Sequence, residues 1–127
     1  MLSSTVIRYL LTIHRLSPDN RPIPSIFIAR QLNVTRSSVS KTLSQLTEEN
    51  LVEKAHYGKA HLSPLGRLLV LQYQREQQTF CRLFLRLGLS PQSAEQEAMT
   101  VVSALSSEGK QALTSLLPHP MPLASGN

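Results

Sequence analysis

Apolar residues recur at helical spacing through the first sixteen positions. Val6, Leu10, Ile13 and Leu16 fall near one face, and Ile7 and Leu11 widen it, which predicts a helix over residues 3–16. The cluster Ser17-Pro18-Asp19-Asn20-Arg21-Pro22 must end it. Pro24 suits the first turn of a second helix, where a missing N–H costs nothing, and Ile28 and Leu32 carry that helix to a break at Asn33-Val34. Thr35 is a good N-cap for a third helix from Arg36 to about Asn50, whose apolar positions Val39, Leu43 and Leu46 stand at i, i+4 and i+7. The pattern then changes. Leu51–Ala55 and Lys59–Leu62 flank Tyr57-Gly58, which predicts a hairpin of two short strands. Ser63-Pro64 opens a long helix to about Leu87, with Leu65, Leu69, Phe80, Leu83, Phe84 and Leu87 as its apolar face and Gly88 placed to stop it. Ser90-Pro91 opens another helix to about Leu105, and residues 107–117 suggest a last one. Pro118-His119-Pro120-Met121-Pro122 blocks continuation, so the tail 118–127 is expected to be disordered.

Helix, helix, tight turn, helix, hairpin is the order of a winged helix-turn-helix. The expected architecture is mainly α, with a DNA-binding domain and two-stranded wing over residues 1–63 and a helical dimerisation region over 64–117. A helix fits the major groove of DNA with its N-terminal residues against base edges. Thr35-Arg36-Ser37-Ser38-Val39-Ser40-Lys41-Thr42 has short polar and basic residues where such a helix needs them. Arg36 and Lys41 can reach guanine acceptors or phosphates, and Ser37, Ser38 and Ser40 can donate to either. On the hairpin, Lys54, His56, Lys59 and His61 are expected against the flanking backbone. The long helix carries more apolar surface than one short helix can cover, so Leu69, Tyr73, Phe80, Leu83, Phe84 and Leu87 are candidate homodimer contacts.

Charge sharpens this picture. The formal net charge is +5, and residues 1–70 hold all of the excess, with nine Lys/Arg against four acids; residues 71–127 hold four of each. Such a half suits nucleic acid or an anionic membrane surface. No apolar run is long enough to span a membrane, and the N-terminus shows no secretion-signal pattern, so a cytoplasmic protein without a membrane partner is expected. One cysteine, Cys81, excludes an intrachain disulfide and a thiolate-rich zinc site.

Three stretches are similar to the DtxR/MntR metalloregulators, the bacterial iron- and manganese-responsive repressors: Tyr9–Ile13, Ile28–Leu43 and Leu62–Arg67, within an overall likeness over 6–117. The middle stretch carries the Ile-Ala…Leu pair and a Ser-Ser-Val-Ser-Lys run, and the last matches the Leu-Thr-x-x-Gly exit from the wing. The resemblance implies a repressor that dimerises through the helices after the wing and binds a palindromic operator. It also sets Thr35, Ser37 and Lys41 at base-proximal positions. Where those regulators hold Mn(II) or Fe(II) on acids and imidazoles, this chain has Arg8, Leu11, Gln77, Met99, Val102 and Ser103, none a normal ligand for a hard divalent ion. The reading is therefore a DNA-binding transcription regulator with no metal and no cofactor.

The other chemistry-bearing residues read as structural or, among the histidines, as phosphate-facing. His14, His56, His61 and His119 have no ligand spacing, Glu95 and Glu97 diverge on a helix, and Cys81 reads as a core thiol, with a redox role as the minor alternative if Arg82 lowers its pKa. No Ser-His-Asp set, phosphate-binding glycine loop or CxxC is present, so no enzyme is expected. Two further readings stay open: a winged-helix adaptor that docks on protein, and a regulator controlled by a small ligand, for which a cavity near Leu11, Met99 and Val102 would speak.

Overall fold

A computed structural model of the chain describes residues 2–116, so the expected tail at 118–127, with His119, lies outside the described residues. The elements run α1 (Ser4–Leu16), β1 (Ile23–Pro24), α2 (Ser25–Leu32), α3 (Arg36–Glu48), β2 (Val52–Lys54), β3 (Lys59–Leu62), α4 (Pro64–Arg86), α5 (Pro91–Ala104) and α6 (Ser107–Thr114). The fold is a mainly helical winged helix-turn-helix with further helices after the wing. The chain forms two compact units that divide after Gln72.

Hydroxyl caps start most of these helices, as their sequences require. Ser3 Oγ accepts from the Val6 amide at 3.2 Å, Ser90 Oγ from Ser93 at 3.2 Å and Ser106 Oγ from Gly109 at 3.0 Å. α2 departs from the expectation. Pro24 does not enter its first turn but holds an extended conformation, φ −64° and ψ 142°, at the N-cap without a side-chain bond. Pro24 and Ile23 form a third strand, β1, which the sequence reading missed.

The sheet has the order β1-β3-β2, antiparallel throughout, with Pro24 opposite Lys59 and Ile23 opposite Ala60 on one side of β3, and Val52 opposite Leu62 on the other. A proline fits there because an edge strand need not donate from every position. Asn20 completes the attachment. Its side-chain amide donates to the Leu62 carbonyl at 2.9 Å, and its Oδ1 accepts from the Leu62 amide at 2.9 Å.

The core of the first unit draws on every element around it: Leu10 and Ile13 from α1, Ile28 from α2, Val39 and Leu46 from α3, and Val52, Ala60 and Leu62 from the sheet are buried. Asn33, in the left-handed conformation at φ 56°, makes the tight turn between α2 and α3. Ser63 ties the wing's exit to the end of α3. Its hydroxyl donates to the Asn50 carbonyl at 2.6 Å and accepts from the Gly66 amide at 3.0 Å.

The second unit buries Phe80, Ala94, Ala98 and Val102 together with a cation, Lys110, which is 8% exposed. The Lys110 ammonium meets Glu76 Oε1 at 2.5 Å, donates to the Val102 carbonyl at 3.2 Å and lies 5.3 Å from the centre of the Tyr73 ring. A buried ammonium is tolerated only with such partners. Burial, and secondarily the Glu76 charge, pushes the Tyr73 phenol above its ordinary range. Gly88, at φ 100°, ends α4, and the Leu89 amide returns to the Phe84 carbonyl at 3.1 Å.

Candidate nucleic-acid interface

The α3 helix separates its two faces by 3.6-residue periodicity. Val39, Leu43 and Leu46 are buried. Ser37, Lys41 and Ser44 stand opposite them, with Arg36, Ser38 and Ser40 to either side, and all six are exposed. The N-terminus is fixed by a reciprocal pair: Thr35 Oγ1 accepts from the Ser38 amide at 3.1 Å and donates to Ser38 Oγ at 2.9 Å. Ser37 Oγ lies 3.2 Å from the same Thr35 oxygen. Thr35 and Ser38 therefore spend part of their hydrogen-bonding capacity on each other. Ser37 shares in this network through its 3.2 Å bond to Thr35, whereas Ser40 and Lys41 are freer to meet a ligand.

The wing adds a second cation to this face. Lys54, on β2, does not point away along the hairpin; its ammonium donates to Ser44 Oγ on α3 at 3.0 Å. Lys59 and His56 are exposed at the far end of the wing. Between them, Tyr57 is 98% exposed and left-handed at φ 61°, a conformation rare for a bulky residue. The sequence reading placed Tyr57 only as a turn residue. His61 departs from the expectation that it faces outward with the lysines. It sits opposite Glu53 in the sheet register, and its Nε2 lies 2.9 Å from Glu53 Oε1, while its Nδ1 is buried without a hydrogen-bond partner.

The apolar residues expected at a dimer contact are placed unevenly. Phe80 is 2% exposed, so it supports the core of its own unit. Leu69, Tyr73, Leu83 and Phe84 are half-buried, and Leu87 is 67% exposed. Leu68 and Leu71, absent from the expected set, are also exposed. Cys81 is half-buried, and burial first, then the Glu95 charge, pushes its thiol up against the weaker opposing pull of Arg82. That is the reverse of an activated thiol.

The positions at which the resemblance implies metal ligands carry a poor donor set. Leu11 and Val102 are buried hydrocarbon, and Arg8 is an exposed cation. The Ser103 hydroxyl donates to the Met99 carbonyl at 2.8 Å, within its own helix. Among the described residues no three His, Cys, Asp or Glu side chains gather as a metal site. These side chains do not fit a hard divalent ion, which needs several oxygen or imidazole donors. Among the described residues no helix is long and apolar enough to cross a membrane.

Residues 1–60 match the family model described as "Iron dependent repressor, N-terminal DNA binding domain". The fold is similar to that of solved structures. IdeR of T. acidophilum is 27% identical with a TM-score of 0.72, over 95% of this chain and 61% of that one. A hypothetical protein of Sulfolobus solfataricus is 24% identical with a TM-score of 0.64, over 99% of this chain and 97% of that one. The manganese regulator SloR is 22% identical with a TM-score of 0.65, over 93% of this chain and 61% of that one. The chain thus spans about three fifths of the length of IdeR and of SloR. No curated protein matches it in sequence.

Proposed function

For a chain related to the DtxR/MntR regulators, with their DNA-binding domain over residues 1–60, we propose sequence-specific binding of double-stranded DNA and repression of transcription, without a metal corepressor. The observation that carries this reading is the exposed Ser37–Lys41–Ser44 face of α3, to which the wing delivers the Lys54 ammonium at 3.0 Å from Ser44. A helix end with hydroxyls and two cations on its outer face offers donors to guanine and phosphate oxygens and no bulk to keep them from the groove. Thr35, Arg36, Ser37, Ser38, Ser40 and Lys41 are the proposed groove contacts, and Lys54, His56 and Lys59 the proposed phosphate contacts.

The functional form is a cytoplasmic homodimer on a palindromic operator, with residues 1–63 binding DNA and 64–117 pairing the protomers. Leu83, Phe84 and Leu87, with Leu69 and Tyr73, supply apolar contact, and two-fold symmetry sets two α3 helices about one DNA turn apart. Metal independence is supported by residue chemistry: at positions where the resemblance implies metal ligands the chain carries Arg8, Leu11 and Val102, and none of these side chains offers an oxygen or an imidazole. Selection from a random-sequence duplex pool tests the reading. Enrichment of a palindrome whose binding weakens steeply with salt is the expected result. Failure to bind any duplex at low ionic strength overturns it in favour of an adaptor that docks on protein.

A further inference from the structure

The first unit holds a small open pocket of about 130 Å³, lined by Thr5, Arg8 and Tyr9 of α1 and by Leu32 and Val34 around the turn into α3. Thr5, Arg8 and Tyr9 fall at i, i+3 and i+4, so they share one helix face. The chemistry of the lining is divided. The Arg8 guanidinium and the Thr5 hydroxyl are polar; Leu32, Val34 and the ring of Tyr9, itself only 5% exposed, are apolar. Arg8 makes no hydrogen bond or ion pair among the described residues, and the first turn of α1 contains no acid to neutralise it. Nor do the carbonyls ending α2 need it, since Ala29 and Arg30 accept from the Val34 and Asn33 amides. An unspent guanidinium beside apolar walls selects an anion with a hydrocarbon body. The volume is close to the roughly 150 Å³ that admits one benzene.

We propose that this pocket binds a small monocarboxylate with a body of about one ring, and that its occupancy controls the DNA affinity of α3. The regulatory half rests on the DNA-binding reading above. Val34 immediately precedes Thr35, the N-cap of α3. A ligand that joins Arg8 on α1 to Val34 holds the turn that aims α3. It shifts DNA binding to the extent that it prefers one setting of that turn. A bare DNA phosphate has no use for Leu32, Val34 and the Tyr9 ring, which is why a small ligand is favoured over a backbone contact.

Benzoate is the probe, titrated into the full chain without DNA and followed by amide and methyl NMR. Saturable shifts confined to Thr5, Arg8, Tyr9, Leu32 and Val34 are expected. Benzyl alcohol, and benzoate with the Arg8→Gln variant, should bind at least about tenfold more weakly, the loss of one charge-assisted hydrogen bond. Absence of saturable shifts, or equal binding of the alcohol, overturns the site. The selected duplex is then titrated with and without benzoate. A shift of its midpoint that Arg8→Gln abolishes supports control, and an unmoved midpoint overturns it. If benzoate does not bind and Arg8→Gln weakens the duplex complex, Arg8 is a phosphate contact; the pocket falls and the DNA reading stands. If benzoate binds but no duplex does, the pocket stands and the DNA reading falls.

Discussion

Gly66 lies so close to Leu51 that a Cβ on residue 66 would stand 2.1 Å from the Leu51 carbonyl oxygen. The obstacle is backbone, and that carbonyl already accepts from the Ser63 amide at 3.0 Å, so it cannot move without breaking the wing's exit. Gly66→Ala should therefore destabilise the first unit by about 2–4 kcal/mol, well beyond the usual gain in helix propensity. Gly58→Asn is the control. Its added Cβ meets nothing within 4 Å, and asparagine tolerates the φ of +71° found there. Urea melts of the two variants should differ in midpoint and not in slope.

Lys41 and Lys59 should fail in different ways. Lys41→Ala should weaken the selected duplex by about 1–3 kcal/mol and relax preference at one position of each half-site. Lys59→Ala, at the exposed end of the wing, should weaken all duplexes alike and reduce the salt slope by about one. Fluorescence anisotropy over a salt series separates them. A uniform effect of Lys41→Ala would remove it from the base contacts.

Manganese and iron should leave DNA binding unchanged. Arg8, Leu11, Gln77, Met99, Val102 and Ser103 cannot replace the waters of a hard ion. Duplex titrations with chelator, with Mn(II) and with anaerobic Fe(II) should superimpose. A rise of tenfold or more on adding metal, reversed by chelator, would reveal a site built from other residues.

Leu87 is the exposed end of the proposed protomer contact. The double change Phe84→Asp with Leu87→Asp should turn a dimer into a monomer at micromolar concentration in sedimentation, because carboxylates would have to be buried against hydrocarbon. A wild-type chain that sediments as a monomer at that concentration would refute the dimer.

Cys81 should be slow to react. Its thiol is raised by burial and by the Glu95 charge, so at neutral pH it holds less thiolate than an ordinary cysteine. Iodoacetamide alkylation should lag that of a free cysteine peptide near pH 8, and its pH–rate curve should rise at higher pH. An earlier rise would restore the redox reading.

Much of this architecture was legible because the chain punctuates itself. Thr35, Ser63 and Ser90 sit at helix starts, and Asn33 and Gly88 at turns, so helix type and order follow from local chemistry. What escaped is non-local. Nothing near Ile23-Pro24 announces a strand; it is extended because β3, more than thirty residues later, offers it a partner. Lys54 reads as a wing cation set against the flanking DNA backbone, and only the folded hairpin brings it to Ser44 of α3. Lys110 enters the sequence reading only as one of four cations beyond residue 70, and its burial rests on Glu76, 34 positions earlier, together with the Val102 carbonyl and the Tyr73 ring. The outward helix face of the candidate site was legible from periodicity; the pocket beside it depends on how α1 meets a turn.

The paired hydrogen bonds between Asn20 and Leu62 span 42 positions of chain, whereas α2 and α3 are joined by a short turn. Closing a loop of that length costs roughly 3 kcal/mol of chain entropy before any contact repays it. Contacts so distant along the chain carry that cost before they stabilise anything. On this ground the helix-turn-helix should assemble before the wing, and the wing should be the first part of the DNA-binding unit to detach. Amides of Lys59–Leu62 should exchange through a cheaper opening than those in the middle of α1. The proposed groove surface on α3 and the proposed flank contacts of the wing would then differ in lifetime, so that a bound regulator would loosen its wing while α3 stayed in place.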